Sequence, residues 1–312
     1  MNIKKAANIL TALSIKGNGP SKVKKLICQS RFENLDDLFD ISSQNNKDIL
    51  SETEWQVLRE QIMGKLEWSL EIGIQVIPFS SSKYPFYLKQ LKDFPLVLFV
   101  KGNIESINKN DSIAIVGTRN PTEYTINHGS IICDLISSNV ESVISGLAIG
   151  CDTIAHKSAL KKEVPTVAVL PNGLDSIYPN ENYHLAQKII EQGGALVSEY
   201  LVGVKPTRYQ FVARDRIQAG LSKMGFLLES SITGGSMHCI NKLKKLNRTI
   251  GCLKPSEELK ENISWSGNKS LYQEKNFFDI TPTSNLKNIS LKVKSLLNQN
   301  KETEFNQKTI FD

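Results

Sequence analysis

The sequence is short of cysteine, histidine and long apolar runs, and each shortage removes a class of protein. Its 312 residues include five cysteines, Cys28, Cys133, Cys151, Cys239 and Cys252. Their number is odd, none is spaced as CxxC, and each sits in an apolar or helical context. Neither a disulfide framework nor a zinc site is expected. The longest apolar stretch is about Pro95-Leu96-Val97-Leu98-Phe99-Val100. That is far short of the roughly 18 residues that cross a bilayer. The opening segment MNIKKAANILTALSIKGNGP has no apolar block of signal-peptide length, so a cytoplasmic protein without membrane contact is expected. No GxGxxG fingerprint and no internal repeat is visible, and no metal or cofactor is expected.

What is present bounds the answer from the other side. Hydrophobic residues make up 40% and charged residues 22% of the chain, too apolar a balance for a disordered protein. The length allows one large domain or two smaller ones, each able to bury a core without staples. Lysine and arginine number 38 against 32 acidic residues, a net charge of +6. A basic surface of that kind attracts phosphate.

Three textures follow one another along the chain. Residues 1–75 read as helical, with Ile9, Leu10 and Leu13 in one apolar stripe and Val23, Leu26 and Ile27 in another. Between the stripes lies Ile15-Lys16-Gly17-Asn18-Gly19-Pro20, followed by Lys22, Lys24 and Lys25. A glycine turn between helices suits a small helix-hairpin-helix or SAM-like module, whose turn amides can hold a phosphate. A plain helical packing module with a solvated face fits the same residues. Residues 76–110 read as a connector punctuated by Pro78, Pro85 and Pro95, with one strand at Val97–Val100.

From 111 to 254 short apolar runs alternate with helical stretches such as 123–138 and 149–161. Strands are expected at Ile113–Val116, Ser142–Ile144, Thr166–Leu170, Ala195–Val197, Phe226–Leu228 and Thr249–Leu253. Continuous apolar runs suit buried parallel strands, so the fold class is α/β: a Rossmann-like, doubly wound, mostly parallel sheet. Residues 255–312 read as a polar tail in which Ile289, Leu291, Val293, Leu296 and Leu297 could line one amphipathic helix.

Ligands in such sheets bind where strands run out into helices, so these junctions carry the functional argument. The first is Gly117-Thr118-Arg119-Asn120, a tight turn with donors and a fixed cation beside a helix start. It could equally be an ordinary turn capped by Thr122. The second, Ser145-Gly146-Leu147-Ala148-Ile149-Gly150-Cys151-Asp152, leads to His156. Asp152 and His156 share a helix face. With no nucleophile arranged beside them, His156 reads as a structural hydrogen bonder rather than an acid–base catalyst. The third junction is Pro171-Asn172-Gly173-Leu174-Asp175 with Tyr178-Pro179, and the fourth is Ser198-Glu199-Tyr200. Next comes Lys205-Pro206-Thr207-Arg208-Tyr209-Gln210-Phe211-Val212-Ala213-Arg214-Asp215-Arg216. Cations interleaved with rings suit a single strand of nucleic acid, phosphates on the one and bases on the other. The last, Glu229-Ser230-Ser231-Ile232-Thr233-Gly234-Gly235-Ser236, is a small-residue loop whose amides can form an anion nest. Residues 201–255 hold ten basic and two acidic side chains. That local excess of +8 exceeds the +6 of the whole chain.

Read in order, IAIVGTR, SGLAIGCDTIAH, VLPNGLDSIYP, SEY, RDRIQAGLS and ESSITGGS resemble the motif series of the DNA-processing protein A family (DprA, also called Smf). The order and spacing hold over about 140 residues. The resemblance implies a protein that binds single-stranded DNA, dimerises through its Rossmann-like domain and helps a RecA-type recombinase load during transformation and homologous recombination, without a catalytic step. It also implies an anion-binding set of Gly117, Thr118, Arg119, Ser145, Gly146, Gly173, Arg208, Phe211, Arg214, Arg216, Gly235 and Ser236. Within it Arg119 would contact phosphate, Arg208 would stand one turn before the base-stacking Phe211, and Arg214 and Arg216 would extend the cationic pocket. This chain departs from the family pattern at Ile149, where an arginine is usual, and at Asp215, where an asparagine is usual. Gly234 and Met237-His238-Cys239 differ as well. Two other readings fit the same residues. One is a nucleotide-binding enzyme or sensor related to lysine-decarboxylase-like phosphoribohydrolases, with Glu229 as its lone candidate acid. The other is an interaction scaffold whose pocket has decayed.

Overall fold

The computed structural model describes residues 2–29, 51–272, 277–280, 291 and 293–295. Helix α1 (Asn2–Ser14) turns through Gly17, at φ 86°, into α2 (Pro20–Gln29). Proline at a first helical position loses no hydrogen bond and presets φ. Helix α3 (Glu52–Glu71) begins with a capping box: the Ser51 hydroxyl accepts from the Glu54 amide, and the Glu54 carboxylate accepts from the Ser51 amide at 2.7 Å.

These helices do not form a core of their own. Ile9, Val23, Ile27 and Leu66 join one apolar cluster with Ile77, Leu98 and Val197 of the sheet. Each such side chain, fully withdrawn from water, contributes about 1.5–3 kcal/mol.

The stretch expected as a connector builds part of the sheet instead. Strand β1 (Ile74–Pro78) pairs antiparallel with β2 (Val97–Gly102), Val76 opposite Phe99, and a four-residue helix α4 (Phe86–Lys89) lies between them. Pro78 is tolerated because it closes the strand at the outer edge of the sheet.

The rest alternates strand and helix: β3 (Ser112–Val116), a π-helical turn (Thr125–Gly129) running into α5 (Ser130–Ser137), β4 (Ser142–Ser145), α6 (Cys151–Lys161), β5 (Thr166–Val169), α7 (Tyr183–Glu191), β6 (Ala195–Ser198), α8 (Arg208–Leu221), β7 (Met224–Leu227), α9 (Ser236–Lys245) and β8 (Thr249–Leu253). After α10 (Ser266–Leu271), β9 (Phe277–Ile280) adds a final strand parallel to β8. The segment read as a polar tail is therefore partly core: Trp265 is fully buried, and Phe278 packs against Phe226. The amphipathic helix expected around Ile289–Leu297 falls largely outside the described residues. Within it Val293 is buried and Leu291 exposed.

The sheet order is β1-β2-β6-β5-β4-β3-β7-β8-β9, with β2 alone running against the other strands. Alternation along β3 divides the core. Ile113 and Ile115 face α5 and α6, whereas Ala114 and Val116 face α8 and α9. The chain runs outward from β3 through β4, β5 and β6, then returns to place β7 on the other side of β3. That reversal opens a crevice between the carboxyl ends of β3 and β7, the ligand position in doubly wound sheets. Among the described residues, no helix is long and apolar enough to cross a membrane.

Candidate functional site

The exits of β3 and β7 are tied together below the crevice. The Thr118 amide donates to the Glu229 carbonyl at 2.7 Å. The Glu229 carboxylate, fully buried, accepts from the Thr122 amide at 2.9 Å and from the hydroxyls of Thr122 and Thr125 at 2.9 and 2.5 Å. It thus caps the helical turn that follows, where a negative charge is favoured. The candidate acid of the phosphoribohydrolase reading is therefore a structural cap, and it does not line the cleft.

Above this tie lies a cleft of about 350 Å³. One wall is Gly117, Thr118 and Arg119. The opposite wall is a face of α8 carrying Phe211, Arg214, Asp215 and Gln218. The loop Ser230–Ser236 closes the third side, and Ala148 and Asp152 close the fourth. Residues 211, 214, 215 and 218 recur at helical spacing. Gly235 and Ser236 open α9 and line the cleft, so the start of that helix lies beside it, where the helix field favours an anion, while the Met237 and His238 amides donate to the Gly234 and Gly235 carbonyls.

Arg214 is fixed in place. Its Nη1 donates to the Val169 carbonyl at 3.0 Å, Nε lies 3.0 Å from Asp215 Oδ1, and Nη2 lies 3.8 Å from Asp152 Oδ2. Gly146 makes room for it, since a Cβ at that position would stand 1.4 Å from Arg214 Nη1. Asp152 accepts from the Ala148 amide at 3.2 Å, yet burial still holds its carboxyl above the ordinary range. Asp215 is pushed up to about 7, chiefly by burial, with Arg214 opposing and Asp152 adding to the rise.

His156 sits behind this group. The Thr166 hydroxyl donates to the Val143 carbonyl at 2.8 Å, so its oxygen must accept the 2.7 Å bond from His156 Nδ1. The ring is thus the neutral Nδ1–H form, and burial with Arg214 nearby lowers its pKa to about 3. As the sequence reading had it, His156 is a structural hydrogen bonder.

An aromatic platform forms the mouth. The Arg119 guanidinium carbon lies 5.1 Å from the centroid of the Phe211 ring, and the Tyr178 ring meets Phe211 edge-on at 5.4 Å. Arg119 is exposed and Tyr178 is 41% exposed, so both present surface to a ligand.

Of the residues named from sequence, Gly117, Thr118, Arg119, Phe211, Arg214, Gly235 and Ser236 come together at this cleft. The others stand elsewhere. Ser145 is buried and donates to the Ile115 carbonyl at 2.6 Å. Gly173 packs against Leu201 and Val202, where a Cβ would meet the Leu201 carbonyl oxygen at 2.5 Å. Arg208 is exposed at the start of α8, outside the cleft wall. Arg216 points to the opposite flank. There it holds Glu199 through two bonds of 2.7 and 2.6 Å and donates to the Asp93 carbonyl at 2.9 Å. Gln218, Asp152 and Tyr178 complete the site. Only the helical stripe through 211 and 214 could have pointed to Gln218.

The local excess of +8 also needs correction. Arg248 is buried and caps the end of α8, donating to the carbonyls of Ala219, Gly220 and Ser222. Lys242 pairs with Asp93 at 2.9 Å, and with Lys244 and Lys245 it occupies the last turn of α9, at the far end from the cleft. Most of that charge neutralises helix ends and carboxylates.

Residues 75–286 match the family model for DNA recombination-mediator protein A. The chain is 37% identical over 179 residues to Protein Smf of Escherichia coli, an overlap of 57% of this chain and 48% of that one. It spans about half the length of that protein and of its Bacillus subtilis counterpart, DNA processing protein DprA. Among solved structures, DprA of Streptococcus pneumoniae superposes with a TM-score of 0.73 at 24% identity, covering 88% of this chain and 94% of that one. DNA processing protein A of Helicobacter pylori, studied for its single-stranded DNA binding mode, gives a TM-score of 0.62 at 28% identity over 72% and 96%.

Proposed function

The chain belongs to the DNA recombination-mediator protein A family, and on that premise we propose that it binds single-stranded DNA in the cleft between β3 and β7. The observation that carries this reading is the Phe211 ring at the cleft mouth, flanked by Arg119 and Tyr178. A base stacks on such a ring whatever its identity, and the adjoining guanidinium takes the phosphate. Arg119 and the first turn of α9 hold one phosphate, and the strand leaves across the exposed Arg208 and Tyr209. In this reading the cleft holds and presents a strand. It performs no bond-breaking step, because the carboxylates and the imidazole nearest the ligand are engaged in buried structural contacts. The protein then acts in the cytoplasm as a homodimer that hands the strand to a RecA-type recombinase, in DNA uptake and homologous recombination.

Fluorescence anisotropy with a labelled oligodeoxythymidine, titrated with salt, tests this. Arg119→Ala lowers affinity across all sequences and reduces the slope of log K against log salt by about 0.7, one phosphate's share on a single strand. Phe211→Ala costs about 1–3 kcal/mol of binding with the slope unchanged. Undiminished binding by the double variant would remove the cleft from consideration.

A further inference from the structure

The cleft offers a phosphate two arginines and two carboxylates, and at full ionisation their charges cancel: Arg119 and Arg214 against Asp152 and Asp215. The two carboxylates also share one buried guanidinium, Arg214, at 3.0 and 3.8 Å. Bringing a phosphodiester into that arrangement adds a negative charge where one is already in excess around Arg214. A buried excess charge is relieved most easily by a proton.

The geometry decides which carboxylate takes it. Asp152 lies in the first turn of α6, where the helix field favours an anion, and it accepts the Ala148 amide. Asp215 lies in the middle of α8, with Arg214 Nε and the Gln218 amide nitrogen at 3.0 and 3.3 Å on the same oxygen, Oδ1. Its second oxygen has no comparable anchor.

We propose that the cleft takes up its phosphate-bearing ligand together with one proton, carried by the Asp215 carboxyl. This rests on the reading of the cleft as a single-strand site. Protonated, Asp215 presents one O–H donor and one carbonyl acceptor, the set an asparagine side chain offers. The proton comes from solvent and adds to the carboxylate, and no other bond changes. The charged and titratable groups facing Asp215 are Arg214 on its own helix, Arg119 after β3, Asp152 on α6 and Cys239 on α9. Burial keeps the Cys239 thiol protonated, and His156 behind Arg214 stays neutral. Asp215, pushed up to about 7, is thus the group in the cleft whose charge changes near neutrality.

The test compares the full chain with Asp215→Asn, binding a labelled oligodeoxythymidine at pH 6 and pH 8 and constant ionic strength. The unsubstituted chain binds about 10-fold more weakly at pH 8, the ratio of protonated fractions for a group titrating near 7. Asp215→Asn binds at pH 8 as tightly as the unsubstituted chain at pH 6, and its profile is flat. Calorimetry at pH 7 in two buffers of different ionisation enthalpy reads uptake of about half a proton per bound strand, lost in the variant. Binding without a pH slope, or with the same slope in Asp215→Asn, overturns the proposal and leaves strand binding standing. Binding by neither protein at either pH, or undiminished binding by Arg119→Ala, overturns the single-strand reading and this proposal with it.

Discussion

On the side of α8 that faces the cleft, Arg214 is shared between two carboxylates and a carbonyl, with space left beside it for a ligand. On the opposite flank, two residues along, Arg216 closes on Glu199, the Asp93 carbonyl and its own helix, and Lys242 takes the Asp93 carboxylate. Both flanks are rich in arginine and acid. They differ in whether cations balance the carboxylates in number, Arg216 and Lys242 against Glu199 and Asp93, and in whether the remaining donors open on a cavity. Clustered positive charge in a sequence therefore marks an anion site only after each cation's partners have been placed. Here most of the cations between 201 and 255 face carboxylates or helix ends, and Arg119, well outside that segment, supplies the exposed charge at the cleft.

The comparison breaks most sharply at Gly146. Its hydrogen occupies the space beside Arg214 Nη1, so Gly146→Ala must expel the guanidinium and strand Asp152 and Asp215 without it. Loss of one partner from a buried ion pair costs about 3–5 kcal/mol. Denaturant unfolding should show that loss together with abolished oligonucleotide binding. A variant retaining both stability and binding would mean that Arg214 can leave its seat freely.

Arg216→Ala tests the other flank. Removing it leaves Glu199 half-buried without its two bonds, at a cost of about 3 kcal/mol in unfolding free energy. If the two flanks are as distinct as the structure has them, the salt slope of oligonucleotide binding stays at its unsubstituted value. A reduced slope would place Arg216 on the strand.

How far the sequence reaches follows the same division. Strands β3 to β8 are legible because parallel strands buried on both faces are continuous apolar runs ending at glycine-bearing turns, as in IAIVG and VAVLPNG. Strand β1, IQVIP, carries a polar residue and a proline and follows a long helix, so it reads as a linker. Strand β9, FFDI, is short and set among polar residues. At the site, Gly117–Arg119 and Gly235–Ser236 are legible because strand-end loops face the crevice by topology alone. Arg216 and Arg248 mislead because their partners lie far along the chain, at Asp93 and at the end of α8. Gly146 has the look of a phosphate-loop glycine, but the group it admits is a side chain arriving from α8.

The finest distinction between the flanks is in their protons, and it is visible in stability without any ligand. Asp215 in the folded chain titrates at about 7, above its ordinary 3.8. Between those values the folded state holds a proton that the unfolded chain has released. The stability this contributes is present in full below about 3.8 and is lost as pH rises through 7. His156 runs the other way. Its folded value of about 3 lies below the ordinary 6.5, so its contribution is present above 6.5 and is lost as pH falls toward 3. The two oppose each other in mildly acidic solution and leave the unsubstituted profile shallow. Asp215→Asn removes one and keeps the other, so the melting temperature of the variant minus that of the unsubstituted chain should rise from pH 5 to pH 7 and level off above it. The change is on the order of a few degrees for a domain of this size. Arg216, held between Glu199 and Asp93, contributes no such step. A difference that stays constant across that range would mean that Asp215 is already ionised in the folded protein at pH 5, with Arg214 committed to it rather than shared.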